Sequence, residues 1–259
     1  MKTNRQKRSK NKGFAEIFGS HAVYAALQNS QRIHQKLFVS QNQSENLDNN
    51  INKLVPDINE LHNKEMFKMF GSDSNHQGIV LRTSKLVQPS LDEILLKYKN
   101  LKSDIIIMLD QVTDPNNIGS IMRSCALFNC HSIIVSNDNA PDITATMAKA
   151  ASGALEKINY ISVVNLSRAI IQLKKNNYWI YGLDSNKKSQ LKDKKNLELP
   201  SKCVLVFGSE GKGLRNLTKQ ECDELITIPI TKDLKYNIDS LNVANACSIT
   251  LYEHFRNFS

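Results

Sequence analysis

Asp104-Ile105-Ile106-Ile107-Met108-Leu109-Asp110 sets an unbroken apolar run between two acids. Gln111-Val112-Thr113-Asp114-Pro115-Asn116-Asn117 follows it, and a helical pattern then begins at Ile118. A strand that is apolar throughout must be covered on both faces. The same events recur downstream. Buried-type strands are expected at 105–109, 132–135, 157–161, 178–183, 203–207 and 225–228, with helical patterns at 118–128, 144–151, 166–175, 213–220 and 241–255. Apolar strands separated by helices imply an α/β fold with a mostly parallel sheet and helices on both faces.

Residues 14–88 have a different texture. Phe14, Ile17, Phe18, His21, Ala22, Ala25 and Leu27 have helical spacing, so a helix is expected over 14–29. Strands are expected at 36–40 and 78–83, and helix pieces at 49–55 and 64–70, with Asn/Asp/Gln-rich connections between them. This reads as a small α/β module. Pro89-Ser90 is placed to cap a short helix through Tyr98, and 89–103 reads as the connection to the larger domain at 104–259.

The chain has 259 residues, 41% hydrophobic and 23% charged, enough apolar material for a core. Its longest apolar runs fall far short of the roughly 20 residues that span a bilayer. The basic start leads into Gly13-Phe14-Ala15-Glu16 without the apolar core of a secretory signal. The five cysteines (Cys125, Cys130, Cys203, Cys222, Cys247) have no C-x-x-C spacing. They read as reduced cytoplasmic thiols and not as a zinc site or disulfide framework, so no metal is expected. Of the net charge of +9, residues 1–13 supply +6 through Lys2, Arg5, Lys7, Arg8, Lys10 and Lys12. A disordered cationic tail of this kind suits phosphate backbones or solubility. Lys187, Lys188, Lys192, Lys194 and Lys195 form a second cluster that suits RNA or a solvated loop.

In open α/β sheets the ligand lies beyond the carboxyl ends of the strands. After the first strand, Asn117 is placed to cap the next helix. Gly119 permits close backbone approach, and Arg123, four residues on, shares the face of Gly119 and suits a phosphate. After the fifth strand comes Gly208-Ser209-Glu210-Gly211-Lys212-Gly213. It has neither P-loop register nor the position of a dinucleotide fingerprint, which makes a nicotinamide dehydrogenase a poor fit. Such a loop suits an adenosine or amino-acid ligand. After the sixth strand, Ser240 is placed to cap the last helix, with Asn242 and Asn245 near one face of its first turn.

Together, Asn117-x-Gly119-x-x-x-Arg123, Gly208-Ser209-Glu210-Gly211-x-Gly213 and Ile228-Pro229 with Ser240-Leu241-Asn242-Val243 resemble the three motifs of SpoU/TrmH-class methyltransferases of the SPOUT superfamily. Phe18-Gly19-Ser20-His21-Ala22-Val23 and His76-Gln77-Gly78-Ile79 resemble the substrate-binding domain of the branch that methylates ribose in large-subunit ribosomal RNA. The resemblance implies a C-terminal trefoil knot, a ribosomal-protein-like N-terminal domain, a homodimer with composite active sites, and 2′-O-methylation using S-adenosylmethionine. It implies a ribosomal RNA substrate, with transfer RNA or a non-catalytic ribosome-assembly role as alternatives. It assigns catalysis to Asn117, Arg123, Glu210, Ser240 and Asn242, and donor binding to Leu183, Gly208, Gly213, Ile228 and Leu241. A guanidinium stays protonated in proteins, so Arg123 is expected to hold a phosphate or the ribose hydroxyl, oriented by Glu210. The stretch 231–239 is longer than in typical relatives, Ala244-Asn245 replaces the usual Ser-Val, and the basic tail is not a common family feature.

Overall fold

The computed structural model describes residues 13–45, 47, 50–71, 76–138, 141–184, 199–231 and 240–258. The basic tail before Gly13, the lysine cluster at 187–195 and nearly all of the 231–239 stretch lie outside the described residues. The chain divides into two compact units, Met1–Val87 with Ile143–Glu156, and Gln88–Asp142 with Lys157–Ser259.

The first unit is built on strands β1 (Phe14–Phe18), β2 (His34–Ser40), β3 (Ile58–Leu61) and β4 (Ile79–Ser84), in the order β1-β4-β2-β3. β4 is antiparallel to both of its neighbours, and β3 runs parallel to β2. The helix expected over 14–29 is therefore a strand followed by a helix, α1 (Ser20–Leu27). Phe14 to Phe18 pair along β4, and Gly19 takes φ +86°, which ends the strand and starts the helix. Of the piece expected at 49–55, the described part is a 3-10 turn, Ile51–Lys53, and α2 (Gln41–Ser44) and β3 had no expectation. Phe18, Val80 and Phe38 line up across three strands. Met66 and Phe70 of α3 (Asn63–Phe70) cover that face. Ile17, Leu81 and Leu37 alternate to the opposite face.

The segment Ile143–Glu156, which falls within the sequence of the larger expected domain, completes the first unit. After α4 (Leu91–Lys97) and α5 (Pro115–Leu127) of the second unit, its helix α6 (Ala145–Ala151) packs on β1 and α1. A Cβ at Gly153 would sit 2.9 Å from Ala25 Cβ, so the turn after α6 lies directly against α1. Glu156 there accepts from Arg32 Nε at 2.8 Å and from its second nitrogen at 2.7 Å, and from Asn29 at 2.7 Å. Arg32 also donates to the Ser84 carbonyl at 2.6 Å. The two charged side chains are 2% and 6% exposed, so each depends on the other for its solvation.

The second unit holds the expected parallel sheet. Strands β5 (Asp104–Asp110), β6 (Ser132–Ser136), β7 (Asn159–Val163), β8 (Trp179–Leu183), β9 (Lys202–Gly208) and β10 (Glu224–Ile226) lie in the order β10-β8-β9-β5-β6-β7, and every described pairing is parallel. On one face Ile106, Met108, Ile134, Ile161, Ile180, Val204 and Val206 form a core with α4 and with α7 (Leu166–Lys175). Burying each such side chain contributes about 1.5–3 kcal/mol. On the other face α9 (Val243–Phe258) packs on β9 and on α5. α8 (Asn216–Glu221) follows β9. Residues 89–103, expected as a connection, contain α4, whose Leu91, Ile94 and Leu95 are buried in this core. Ser90 caps α4 as expected, accepting from Glu93 N at 3.2 Å while Glu93 returns a contact to Ser90 N at 2.7 Å.

Candidate active site at the carboxyl ends of the parallel strands

The strand register brings three loops together. Asp110 pairs with Gly208, Leu183 with Phe207, and Ile226 with Leu183. The carboxyl ends of β5, β9, β8 and β10 thus lie side by side, carrying the Asp110 loop, Gly208, Leu183 and Ile228.

The loop after β9 folds back onto its own strand. Gly213 N donates to the Ser209 carbonyl at 2.8 Å, and Gly213 has φ +64°. A Cβ at Gly208 would lie 2.1 Å from the Gly213 carbonyl carbon and 2.3 Å from Leu214 N. No side chain fits there, so position 208 must be glycine. Gly211 has open space around it and Gly213 nearly so, with Asp184 Oδ1 at 3.7 Å. Only the first of the three glycines is demanded by packing.

Three polar side chains meet here. Asn117 Nδ2 donates to Glu210 Oε1 at 3.0 Å, Asn242 Nδ2 to the same oxygen at 2.7 Å, and Asn242 Nδ2 to Asn117 Oδ1 at 3.0 Å. Each comes from a different motif. Asn242 Oδ1 accepts from Ala244 N at 2.9 Å, so Asn242, not Ser240, caps α9, which begins at Val243. That bond fixes which end of the amide faces Glu210. Asp114 caps α5 by accepting from Asn116 N at 3.0 Å, with Pro115 next, so Asn117 is not a cap. It stands in the first turn with its amide free for Glu210. One face of α5 continues to Ser124, whose hydroxyl lies 2.7 Å from Ser248 on α9 and ties the two helices below the site.

Arg123 is exposed on α5 and makes no hydrogen bond or ion pair among the described residues. The expected orientation by Glu210 is not seen: among the described residues Glu210 pairs with the two amides and not with Arg123. Ser240 and Leu241 are exposed just before the α9 cap. Leu183 and Ile228 are half-buried at their strand ends. Of the two N-terminal signatures, His76 is 3% exposed with Nδ1 accepting from Gly78 N at 3.0 Å, while His21 is exposed. Burial, with Lys149 nearby, holds the His76 imidazole below its ordinary pKa. All five cysteines are free, and burial pushes Cys222 up to about 12. No cluster of His, Cys, Asp or Glu among the described residues is arranged to hold a metal.

Sequence reasoning missed Asp110. It is 0% exposed and accepts from Arg215 N at 3.1 Å, Arg215 Nε at 2.7 Å and Thr218 Oγ1 at 2.7 Å. The one available signal was an acid closing an otherwise apolar strand.

The SpoU rRNA Methylase family model matches residues 104–252, and the model for RNA 2′-O ribose methyltransferase substrate binding matches 17–89. The 23S rRNA (guanosine-2′-O-)-methyltransferase RlmB of Escherichia coli strain K12 is 32% identical over 249 residues, covering 93% of this chain and 97% of that one. The chain belongs to the SpoU rRNA methylase family. Solved structures agree on the fold. An AdoMet-bound rRNA methyltransferase from Sinorhizobium meliloti superposes with TM-score 0.76 at 21% identity, over 95% of this chain and 88% of that one. The SpoU methyltransferase AviRb from Streptomyces viridochromogenes, solved with AdoMet, gives 0.74 at 21%, over 98% and 94%. The Asn117–Glu210–Asn242 cluster lies within the stretch that the family model matches.

Proposed function

We propose that this SpoU-family chain transfers a methyl group from S-adenosylmethionine to a ribose 2′-hydroxyl, on a guanosine of large-subunit ribosomal RNA. The observation that carries the reading is the convergence of Asn117, Glu210 and Asn242 at the strand ends, in a chain 32% identical to RlmB over nearly its whole length. The residues present suit the donor. The half-buried Gly208, Leu183 and Ile228 at the strand ends and Leu241 at 38% exposure offer apolar surface beside main-chain groups for an adenosine. Gly208, Gly213 and Leu241 belong to that cradle.

S-adenosylmethionine supplies an electrophilic methyl group, and the chain must align the attacking oxygen and assist loss of its proton. The two amides hold Glu210 through Oε1. Its other oxygen accepts a hydrogen bond from the ribose hydroxyl and orients it for attack. Arg123 holds a substrate phosphate or supports charge developing on the ribose oxygen, and Ser240 borders the same space. A homodimer with composite sites, supported by family membership, gives the exposed Arg123 a site to serve apart from its own Glu210. The trefoil knot of the C-terminal part and a cytoplasmic location rest on the same membership. Residues 14–88 serve as the RNA-binding part, 104–259 as the methyltransferase part, and the tail 1–13 as a cationic RNA contact.

The test is methyl transfer from labelled S-adenosylmethionine into separated large-subunit ribosomal RNA and transfer RNA, with Asn117→Ala as control and nuclease mapping of the product. Label recovered as a 2′-O-methylguanosine in ribosomal RNA, and lost in the control, is the expected result. Label only in transfer RNA would move the substrate, and absence of donor binding would leave an RNA-binding protein without this activity.

A further inference from the structure

The sheet order places β9 between β8 and β5, and the residues that close those two neighbours are both buried acids. Asp110 ends β5 at 0% exposure, and Asp184 follows β8 at 6%. Both turn to the element that follows β9. Asp110 takes the N–H of Arg215, the residue that begins α8, and also its Nε and the hydroxyl of Thr218 one turn later. Arg215 is the N-cap of α8 and makes no side-chain cap bond, and Asp110 ties its N–H to the hydroxyl of Thr218 in the first turn. Asp184 Oδ2 accepts from Lys219 Nζ at 2.6 Å, and the Asp184 N–H donates to the Ile226 carbonyl at 3.1 Å, which joins the β10 end to the same point. Thr218 is 1% exposed, so its bond to Asp110 is shielded from water.

The loop between β9 and α8 therefore has two fixed ends. Gly208 is held in the sheet and wedged under Gly213, and Arg215 is held by Asp110. Between them Gly213 N is bonded back to the Ser209 carbonyl and Leu214 is buried in the core, so the stretch without packing of its own is Gly211 and Lys212. Gly211 and Lys212 are exposed, and Gly211 touches nothing within 4 Å of its Cβ direction. Glu210 is separately secured by Asn117 and Asn242.

We propose that Asp110, acting through Arg215 and Thr218, is a positioning residue that sets the backbone of the Gly208–Arg215 loop for the methyl donor, with Asp184 and Lys219 as a second brace. The proposal rests on the donor-binding reading above. It assigns Asp110 to donor affinity and not to the transfer step, because Glu210 has its own supports. Its charge matters as well as its shape, since its partners are a guanidinium, a helix-starting N–H and a hydroxyl, all donors. An amide at 110 would turn an N–H against one of them.

The test compares the full-length chain with Asp110→Asn, Thr218→Val and Thr218→Ser. Binding of S-adenosylhomocysteine is measured by calorimetry, RNA binding by filter retention, and amide exchange over residues 211–215 by mass spectrometry without donor. Asp110→Asn and Thr218→Val are expected to weaken the nucleoside by about tenfold or more, to speed exchange in the loop, and to leave RNA affinity within about twofold. Thr218→Ser keeps the hydroxyl and is expected to behave as the parent. In turnover, the donor KM rises in Asp110→Asn while kcat at saturating donor falls by less than about threefold. A purely structural role would lower melting temperature with donor affinity and loop exchange unchanged, and that result would overturn the assignment. If Asp110→Asn does not fold, the Thr218 pair decides. If the parent itself binds no S-adenosylhomocysteine, the donor reading fails, and the exchange measurement still reports whether Asp110 braces the loop.

Discussion

Each unit has an ion pair built on a buried acid that joins distant segments, Arg32–Glu156 in the first and Arg215–Asp110 in the second, and the two are built differently. In the first, Arg32 and Glu156 are both inside, at 2% and 6% exposure, and they join segments far apart in sequence. In the second, Asp110 is fully inside but its partner Arg215 is 42% exposed at the side chain. A pair with both members dry has no fallback when one is removed, whereas a guanidinium at a surface can return to water. The first arrangement suits permanent assembly of a unit. The second suits a loop that must be held and still be reached by a ligand.

The largest expected effect tests the second unit's packing. Gly208→Ala pushes a methyl into the Gly213 backbone and should cost about 5 kcal/mol or more, read by chemical denaturation. Gly211→Ala, in open space, should change stability by less than about 0.5 kcal/mol, and equal effects at the two positions would break the account of the loop. Next, Glu156→Ala leaves a buried guanidinium unpaired and should cost about 3–5 kcal/mol. Asp110→Ala frees Arg215, whose side chain is already 42% exposed and can return to water, and should cost clearly less in the same denaturation series. If the two were alike, the contrast between dry and half-wet pairs would fail. Asn242→Ala removes the α9 cap, at about 1 kcal/mol, and a Glu210 contact. Its turnover should fall by about a hundredfold, out of proportion to the stability lost.

The smallest effect is with pH. Burial holds His34 and His76 of the first unit, and His254 of the second, below their ordinary value of 6.5. Each takes up its proton less readily when folded than in the unfolded chain, whose histidines protonate below about 6.5. Their contribution is intact above that pH and is lost as pH falls from there through the depressed folded values. Melting temperature should drop between pH 7 and 5, and His34→Gln should flatten part of that slope.

How much of this was legible in the sequence follows from what each residue faces. β5, β6 and β9 are covered on both sides and almost wholly apolar inside, and the strands of this sheet read to within two or three residues. β1 is five residues long and runs straight into α1, and Phe14, Ile17 and Phe18 satisfy a helical spacing as well as a strand. Only pairing with β4, a contact distant in sequence, decides between them. Asn117, Glu210 and Asn242 stand in strand-end loops, where a parallel sheet puts its ligand, but it was the resemblance to the SpoU/TrmH motifs that singled them out. The caps were displaced, to Asp114 and Asn242, since several adjacent residues were all competent caps. Arg215 and Thr218 carried no pattern, and Asp110 only that of an acid closing an apolar strand, because a bond across more than 100 residues leaves no local spacing.

Glu156 follows Arg32 by 124 positions, and β5, α5 and β6 are threaded between them. A polypeptide made from its amino terminus therefore finishes the four strands of its first sheet long before it owns the carboxylate that neutralises Arg32, or the helix that covers β1. A fragment ending at Val87 would carry that unmatched cation in its interior. During synthesis the first unit must wait, incomplete, until the ribosome has released about a third of the second. Order of manufacture and order of completion are interleaved, so neither unit can be cut free at a single peptide bond.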